Sequence, residues 1–181
     1  MFFRRRPSRD SLADLPGLET ARLRIAGLAP GDAEAVRTLT DDPAITGAVD
    51  FLHAPFTLED AQDLIRSGHR GSDRFLGAWL RERQGSQREG LVGVVGTHLR
   101  GPGAIEIGYW IGGAARGQGF ASEAVDGILA LLSRRFPHRL IVAECRPGNV
   151  ASWDLLHKLG FRETGEEGHR PGRRLLEFKP V

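Results

Sequence analysis

The residues best suited to chemistry lie in Arg116-Gly117-Gln118-Gly119-Phe120-Ala121, between an apolar strand-like run and a long helical pattern. Two glycines let a backbone turn tightly and approach a ligand with no Cβ in the way. Free amides at the start of the helix would then face that ligand, and the helix dipole favours an anion there. Arg116 could add a charge-assisted contact to a phosphate. The alternative is a Gly-rich turn without a ligand. A P-loop requires Gly-Lys-Ser/Thr, which is absent, and a dinucleotide fingerprint needs a third glycine near Ser122. Glu144 is only a loose match to the ribose-binding acid of that fingerprint.

The elements that must position this loop follow from periodicity. Ala21, Leu23 and Ile25 alternate with Thr20, Arg22 and Arg24, which predicts a half-buried strand within 19–28. Asp32 is placed to cap a helix carrying Ala33, Val36 and Leu39, and residues 43–56 read as irregular but apolar. Thr57 and Asp60 form a capping signal for a second helix with Leu58, Ala61, Leu64 and Ile65. Phe75–Leu80, Leu91–Leu99 and Ile105–Ile111 read as an antiparallel meander, the first turn falling near Gly85-Ser86-Gln87. Ala121, Ala124, Val125, Ile128, Leu129 and Leu132 then keep helical spacing. Leu140-Ile141-Val142-Ala143, apolar on both faces, has the pattern of a central strand. Asn149 opens a last helix closed by Gly160, and Phe161 and Leu175–Phe178 mark two final strands. The order β α α β β β α β α β β implies one parallel crossover in a mostly antiparallel sheet.

Charge and cysteine usage narrow the function classes. The chain has 181 residues and a formal net charge of +2, from 25 Lys and Arg against 23 Asp and Glu. Arg4, Arg5, Arg6 and Arg9 against Asp10 and Asp14 account for all of that excess, so residues 17–181 balance at 21 against 21. A nucleic-acid binder carries a basic stripe on its folded body, which argues against that class. Residues 1–16 read as a flexible basic arm, and 17–181 as a single domain. The lone Cys145 leaves no intramolecular disulfide, and the expected location is cytoplasmic. No apolar run suits a membrane helix. The six histidines lack metal-ligand spacing, so no metal is expected.

Taken together, the motifs resemble the GNAT N-acetyltransferase superfamily. Arg116-x-x-Gly119-x-Ala121 matches its acetyl-CoA pyrophosphate loop. Glu106-Ile107-Gly108-Tyr109-Trp110-Ile111 precedes it, and Glu123-Ala124, Asn149-Val150-Ala151-Ser152 and Leu159-Gly160-Phe161 follow in the family's order. Glu19-Thr20-Ala21-Arg22-Leu23 and Pro55–Ala61 look like the branch that acetylates ribosomal-protein N-termini. The resemblance spans about residues 17–180. It implies an α+β (mixed α/β) fold: a mostly antiparallel seven-stranded sheet with a central parallel, splayed strand pair flanked by helices.

The resemblance also implies roles. Acetyl-CoA would be the co-substrate, held by backbone at Tyr109, Trp110 and Ile111, by residues Arg116, Gly117, Gln118, Gly119, Phe120, Ala121 and Ser122, and by Asn149. Amides near Trp110 and Ile111 would hold the oxyanion. Glu106 lies where the superfamily often places a base, acting directly or through water. Many members carry a tyrosine in the helix after Asn-x-x-Ser, but this chain has Leu156 there. By resemblance to the ribosomal-protein branch Ser152 would donate the proton instead, or no acid is needed because a thiolate already leaves readily. Phe51, Leu52 and Phe56 would line the acceptor side. The expected acceptor is a protein N-terminal α-amine. A small amine or aminoglycoside, or a non-catalytic acyl-CoA sensor, stays open, as does a monomer or homodimer.

Overall fold

The computed structural model describes residues 10–81 and 90–180. The strands are β1 (Leu18–Glu19), β2 (Leu23–Gly27), β3 (Asp73–Leu80), β4 (Leu91–Arg100), β5 (Ala104–Ile111), β6 (Leu140–Cys145), β7 (Phe161–Glu167) and β8 (Arg174–Phe178). They form one sheet in the order β1-β2-β3-β4-β5-β6-β8-β7, antiparallel at every pairing except β5–β6. The eighth strand, beyond the seven expected, is the two-residue edge strand β1, too short to show a period in the sequence. The expected turn at Gly85-Ser86-Gln87 lies outside the described residues.

Five helices cover the sheet: α1 (Ala33–Thr40), α2 (Pro43–Thr46), α3 (Leu58–Ser67), α4 (Phe120–Arg135) and α5 (Val150–Lys158). Alternation along the strands builds two cores. Ile105, Ile107, Ile141 and Ala143 pack with Ala124, Val125, Ile128 and Leu132 of α4. On the other face Val94 and Trp110 pack with Val36, Leu39, Leu64 and Ile65 of α1 and α3. The capping box at Thr57 forms, with Thr57 Oγ1 accepting from the Asp60 N–H and Asp60 accepting from the Thr57 N–H. Asp32 does not cap α1 through its side chain. Its carboxylate instead accepts the Ala29 N–H at 2.8 Å and stabilises the turn before the helix.

Within the segment expected to be irregular, residues 43–46 form α2. Asp42 caps it by accepting the Ala44 N–H at 2.9 Å, and Pro43 supplies a first-turn φ. The expected arm also ends earlier than residue 16. Leu12 is fully buried, Leu15 is 5 % exposed, and the Leu12 N–H donates to Gly71 O at 2.8 Å. Asp10 accepts from Arg139 Nε at 2.7 Å and pairs with His138. Hydrogen bonds from Arg139 and His138 hold the Asp10 carboxyl below its ordinary pKa. Arg4, Arg5, Arg6 and Arg9 lie outside the described residues.

What positions the site is the parallel pair. β5 and β6 are in register for only four residues, Ala104–Ile107 against Leu140–Ala143, and then separate. Beyond that point β5 stays paired to β4 as far as Ile111, and β6 stays paired to β8 through Cys145. Each strand is thus fixed on its outer side while the inner edges part.

Because Leu12 belongs to the core, Leu12→Ala should destabilise the fold by about 2–5 kcal/mol, the usual cost of emptying a buried leucine site. Urea denaturation reads this, and an unchanged midpoint would return the segment to the arm.

Candidate active site

The gap between β5 and β6 opens into a cleft of about 500 Å³. Its floor includes Tyr109, Trp110 and Ile111, one end is the Arg116–Ser122 loop, and Asn149, Ser152 and Leu155 form a side. The Gly112 N–H donates to Val92 O on β4. Antiparallel alternation therefore turns the peptide groups of Trp110 toward β4 as well, and those of Tyr109 and Ile111 into the gap. Trp110 is thus not an amide donor to the cleft, contrary to expectation. Its indole Nε1 donates to buried Thr40 at 3.0 Å and fixes the wall behind the gap.

At the loop, Gly117 and Gly119 have φ of +73° and +79°, values that L side chains rarely adopt. Gly119 is the N-cap of α4, and the first helical bond runs from the Glu123 N–H to Gly119 O. The amides of Phe120, Ala121 and Ser122 have no intrahelical acceptor and open toward the cleft, an arrangement suited to a phosphate group. Arg116 is turned away from a bare-phosphate pose: Nη2 donates to Asp42 at 2.8 Å and Nε to Ile111 O at 3.2 Å. The Gln118 side chain donates to Ala114 O at 2.9 Å and lies on the outer side of the loop, outside the cleft lining.

The loop is braced by Glu123, Thr20 and Arg22, members of the motifs above to which the resemblance assigned no role. Glu123, in the first turn of α4, accepts from the Arg22 N–H at 2.7 Å, Arg22 Nε at 2.6 Å and Thr20 Oγ1 at 2.5 Å. Burial disfavours the ionised carboxyl, but these hydrogen bonds prevail and hold it below its ordinary pKa. Arg22 also donates to Gln118 O at 2.9 Å and lies over the Phe120 ring. Pairing of Glu19-Thr20-Ala21-Arg22 with the loop was not visible as a pattern, because the partners are about one hundred residues apart.

Asn149 caps α5 by accepting the Ser152 N–H at 3.3 Å, and it also lines the cleft. Ser152 Oγ lies 2.8 Å from the Tyr109 hydroxyl. Burial pushes the Tyr109 phenol up to about 12, against the opposing hydrogen bond with Ser152. The chain's only tyrosine thus reaches, from β5, the turn of α5 where Leu156 is buried instead.

A second cavity of about 80 Å³ adjoins the first and shares Ala48, Val49, Tyr109, Trp110 and Ser152 with it. Phe51 lines it, packed edge-on to Trp110. Leu52 and Phe56, expected beside Phe51, are 6 % and 3 % exposed and belong to the α1–α3 core.

Charge fills the far side of this cavity. Glu106, 4 % exposed, has both oxygens engaged: Arg100 Nε donates to one at 2.6 Å, and Arg170 donates to the other. It is not presented as a free base. Glu144 accepts from the His169 N–H at 2.7 Å, from the His169 ring at 2.8 Å and from Arg170 Nε at 2.9 Å. Burial lowers the Arg170 pKa, as do the neighbouring Arg173 and Arg100. Asp50 binds Arg146 at 2.5 Å and Arg173 at 2.9 Å, clamping the 48–50 roof across the gap. His98 also lines the cavity and pairs with Asp73 at 2.6 Å. Among the described residues, no group of three or more His, Cys, Asp and Glu side chains could hold a metal ion, and no helix is long and apolar enough to cross a membrane.

The cradle fits a diphosphate at the loop and an extended arm in the gap. The Cβ that a substitution adds at Gly119 meets only Arg22 at 3.4 Å, so the penalty there is one of backbone conformation. Gly119→Val should weaken coenzyme A binding about tenfold or more, from about 1–3 kcal/mol of local strain. Titration calorimetry against a circular-dichroism control reads the effect, and unchanged affinity would remove the loop from the site.

Comparison with known proteins agrees with this geometry. The family model described as the acetyltransferase (GNAT) domain matches residues 22–162. The "Uncharacterized N-acetyltransferase YnaD" of Bacillus subtilis (strain 168) is 27 % identical over 149 residues, covering 82 % of this chain and 84 % of that protein. The structure of a GNAT-family acetyltransferase from Bacillus anthracis superposes with a TM-score of 0.75 at 23 % identity, over 90 % of this chain and 97 % of that one. RimL, a ribosomal L7/L12 α-N-protein acetyltransferase solved with coenzyme A, gives 0.74 at 18 % identity, over 87 % and 94 %. With the family model covering most of its length, the chain belongs to the GNAT family of N-acetyltransferases.

Proposed function

We propose that this enzyme transfers the acetyl group of acetyl-CoA to the α-amine of a protein N-terminus. The observation that carries this reading is the meeting of two cavities at Tyr109 and Ser152. The larger suits the acetyl-CoA arm. The smaller, at about 80 Å³, has room for an amine and the first atoms of an extended chain. Its lining acids Glu106 and Glu144 are already paired with Arg100 and Arg170, and Asp50 beside it with Arg146 and Arg173, so it lacks the free negative charge that would hold a polycation such as an aminoglycoside. RimL, which shares the fold, acts on a protein α-amine.

The amine nitrogen attacks the thioester carbonyl, forming a C–N bond as the C–S bond breaks. One proton leaves the nitrogen, and one reaches the departing sulfur. A free α-amine has a pKa near 8, so about a fifth of it is already neutral near pH 7.4, and a water can serve as the acceptor for the proton that the attacking neutral amine releases. The Tyr109 and Ile111 backbone groups facing the gap orient the arm and the carbonyl. The Tyr109 hydroxyl, hydrogen-bonded to Ser152 Oγ, supplies the proton for the sulfur through Ser152. Arg116, Gly117, Phe120, Ala121 and Ser122 hold the diphosphate, with Arg116 exchanging Asp42 for phosphate, and Asn149 holds the arm.

The test is acetyl-CoA with a panel of peptides beginning in Ala, Ser or Met, beside an N-terminally blocked, lysine-containing peptide and an aminoglycoside. Free thiol and product mass are the readouts. N-terminal acetylation is expected. Modification confined to lysine or to the aminoglycoside would reject the reading, and coenzyme A binding without turnover would favour a sensor.

Two further outcomes follow from the donor pair. Tyr109→Phe should lower kcat by about 10–100-fold, the usual worth of a proton donor or somewhat less. In the native enzyme kcat should rise as the amine loses its proton near pH 8. It should not fall through loss of the Tyr109 proton until pH approaches about 12, since burial keeps the phenol neutral below that. Stopped assays across pH 6–11 check both.

A further inference from the structure

The turn between β7 and β8 sends one arginine into the mouth of the parted strands. Arg170 Nε donates to Glu144 at 2.9 Å, and its Nη2 donates to Glu106. One carboxylate comes from β5, within the last paired residues, and one from β6, just beyond them, so a single guanidinium spans the two strands at the point where they part. The Glu106 and Glu144 side chains are 6 % and 1 % exposed, whereas Arg170 is 29 % exposed. The bridge walls the small cavity that also holds Tyr109 and Ser152.

Arg170 is the removable member of this bridge. Without it, Glu106 keeps Arg100 on its other oxygen, and Glu144 keeps the N–H and ring of His169 and the Arg170 backbone N–H. The turn carrying it is flanked by Gly168 and by Gly172, whose φ is +73°. Buried carboxylates left short of a cation attract another one. A protonated acceptor amine has the same charge as the guanidinium in a smaller volume.

We infer that Arg170 is a specificity-determining residue that holds the acceptor's ammonium subsite closed, and that an acceptor enters by replacing its guanidinium between Glu106 and Glu144. This rests on the N-acetyltransferase reading above. Exchange admits a slim terminal ammonium and frees one Glu106 oxygen to take the proton that the ammonium must lose before it attacks; the second proton leaves to water as the C–N bond forms. The amide product is uncharged and cannot hold the subsite, so Arg170 returns as the product leaves.

The test needs no turnover for its first readout. Arg170→Gln removes the charge and retains a polar side chain. Ethylammonium chloride, without acetyl-CoA, should raise the melting temperature of that variant well beyond the small rise it gives the wild type, where it must first displace the guanidinium. With acetyl-CoA, the KM of an alanine-terminated peptide should fall about tenfold, the worth of one charge-assisted contact no longer broken on entry, and ethylammonium should compete with the peptide. Arg170→Lys, which restores a cation, should return both readouts toward wild type. In the unaltered enzyme, ethylammonium should speed phenylglyoxal modification of Arg170, followed by peptide mass, and this decides the matter if the variants do not fold. No stabilisation of Arg170→Gln with an unchanged or higher KM, or an unchanged modification rate, would make Arg170 a structural ion pair. Ethylammonium binding without any acetyl transfer would instead overturn the proposed reaction and leave the cation exchange standing.

Discussion

The site exists because two neighbouring parallel strands stop pairing after four residues. A sheet edge with unpaired N–H and C=O groups is unfavourable unless something satisfies them. Here the cost is contained because each strand is held on its other side: β5 by β4 to Ile111, and β6 by β8 to Cys145. The gap is therefore built into the sheet and does not depend on a ligand to prise it open. An extended arm can add to such an edge much as a strand would. Every other feature of the site is arranged around this parting.

At one end, the glycine loop turns the exposed amides of α4 toward the gap. Its shape is fixed from outside by Glu123 and Arg22, a half-buried carboxylate with several donors that ties the loop to the turn between β1 and β2. At the other end, acids and arginines alternate around a small cavity. Arg146 and Arg173 converge on Asp50 and draw the 48–50 roof over it. Arg100 and Arg170 neutralise Glu106. The result is a charge-balanced acceptor end beside an apolar cleft, and Tyr109 and Ser152 stand where the two meet.

Some of this was legible from local pattern. The Thr57-x-x-Asp60 cap, the helical period from Ala121 to Leu132 and the doubly apolar Leu140–Ala143 each report a short-range constraint, and each element formed. So did the Gly-x-Gly turn, because positive φ is a property of the residue. The misses share a cause as well. Leu12 and Leu15 are too few to show a period, and only burial against residues far along the chain identifies them as core. Leu52 and Phe56 belong to the same apolar run as Phe51, and local composition does not say which of the three turns inward. No contiguous pattern marks Arg170 as a bridge, because its two carboxylates are 26 and 64 residues away.

The sequence by itself determined the order of the elements other than β1 and α2, the single parallel crossover, the anion-ready loop and the family, because these rest on periodicity, turn chemistry and motifs written in contiguous residues. The tertiary structure alone decided which hydroxyl faces Ser152, which carboxylates are already neutralised and how far the two central strands stay together. Those depend on distances between groups remote in the chain. Such distances are fixed by packing of the whole sheet, and a string of residues does not contain them explicitly.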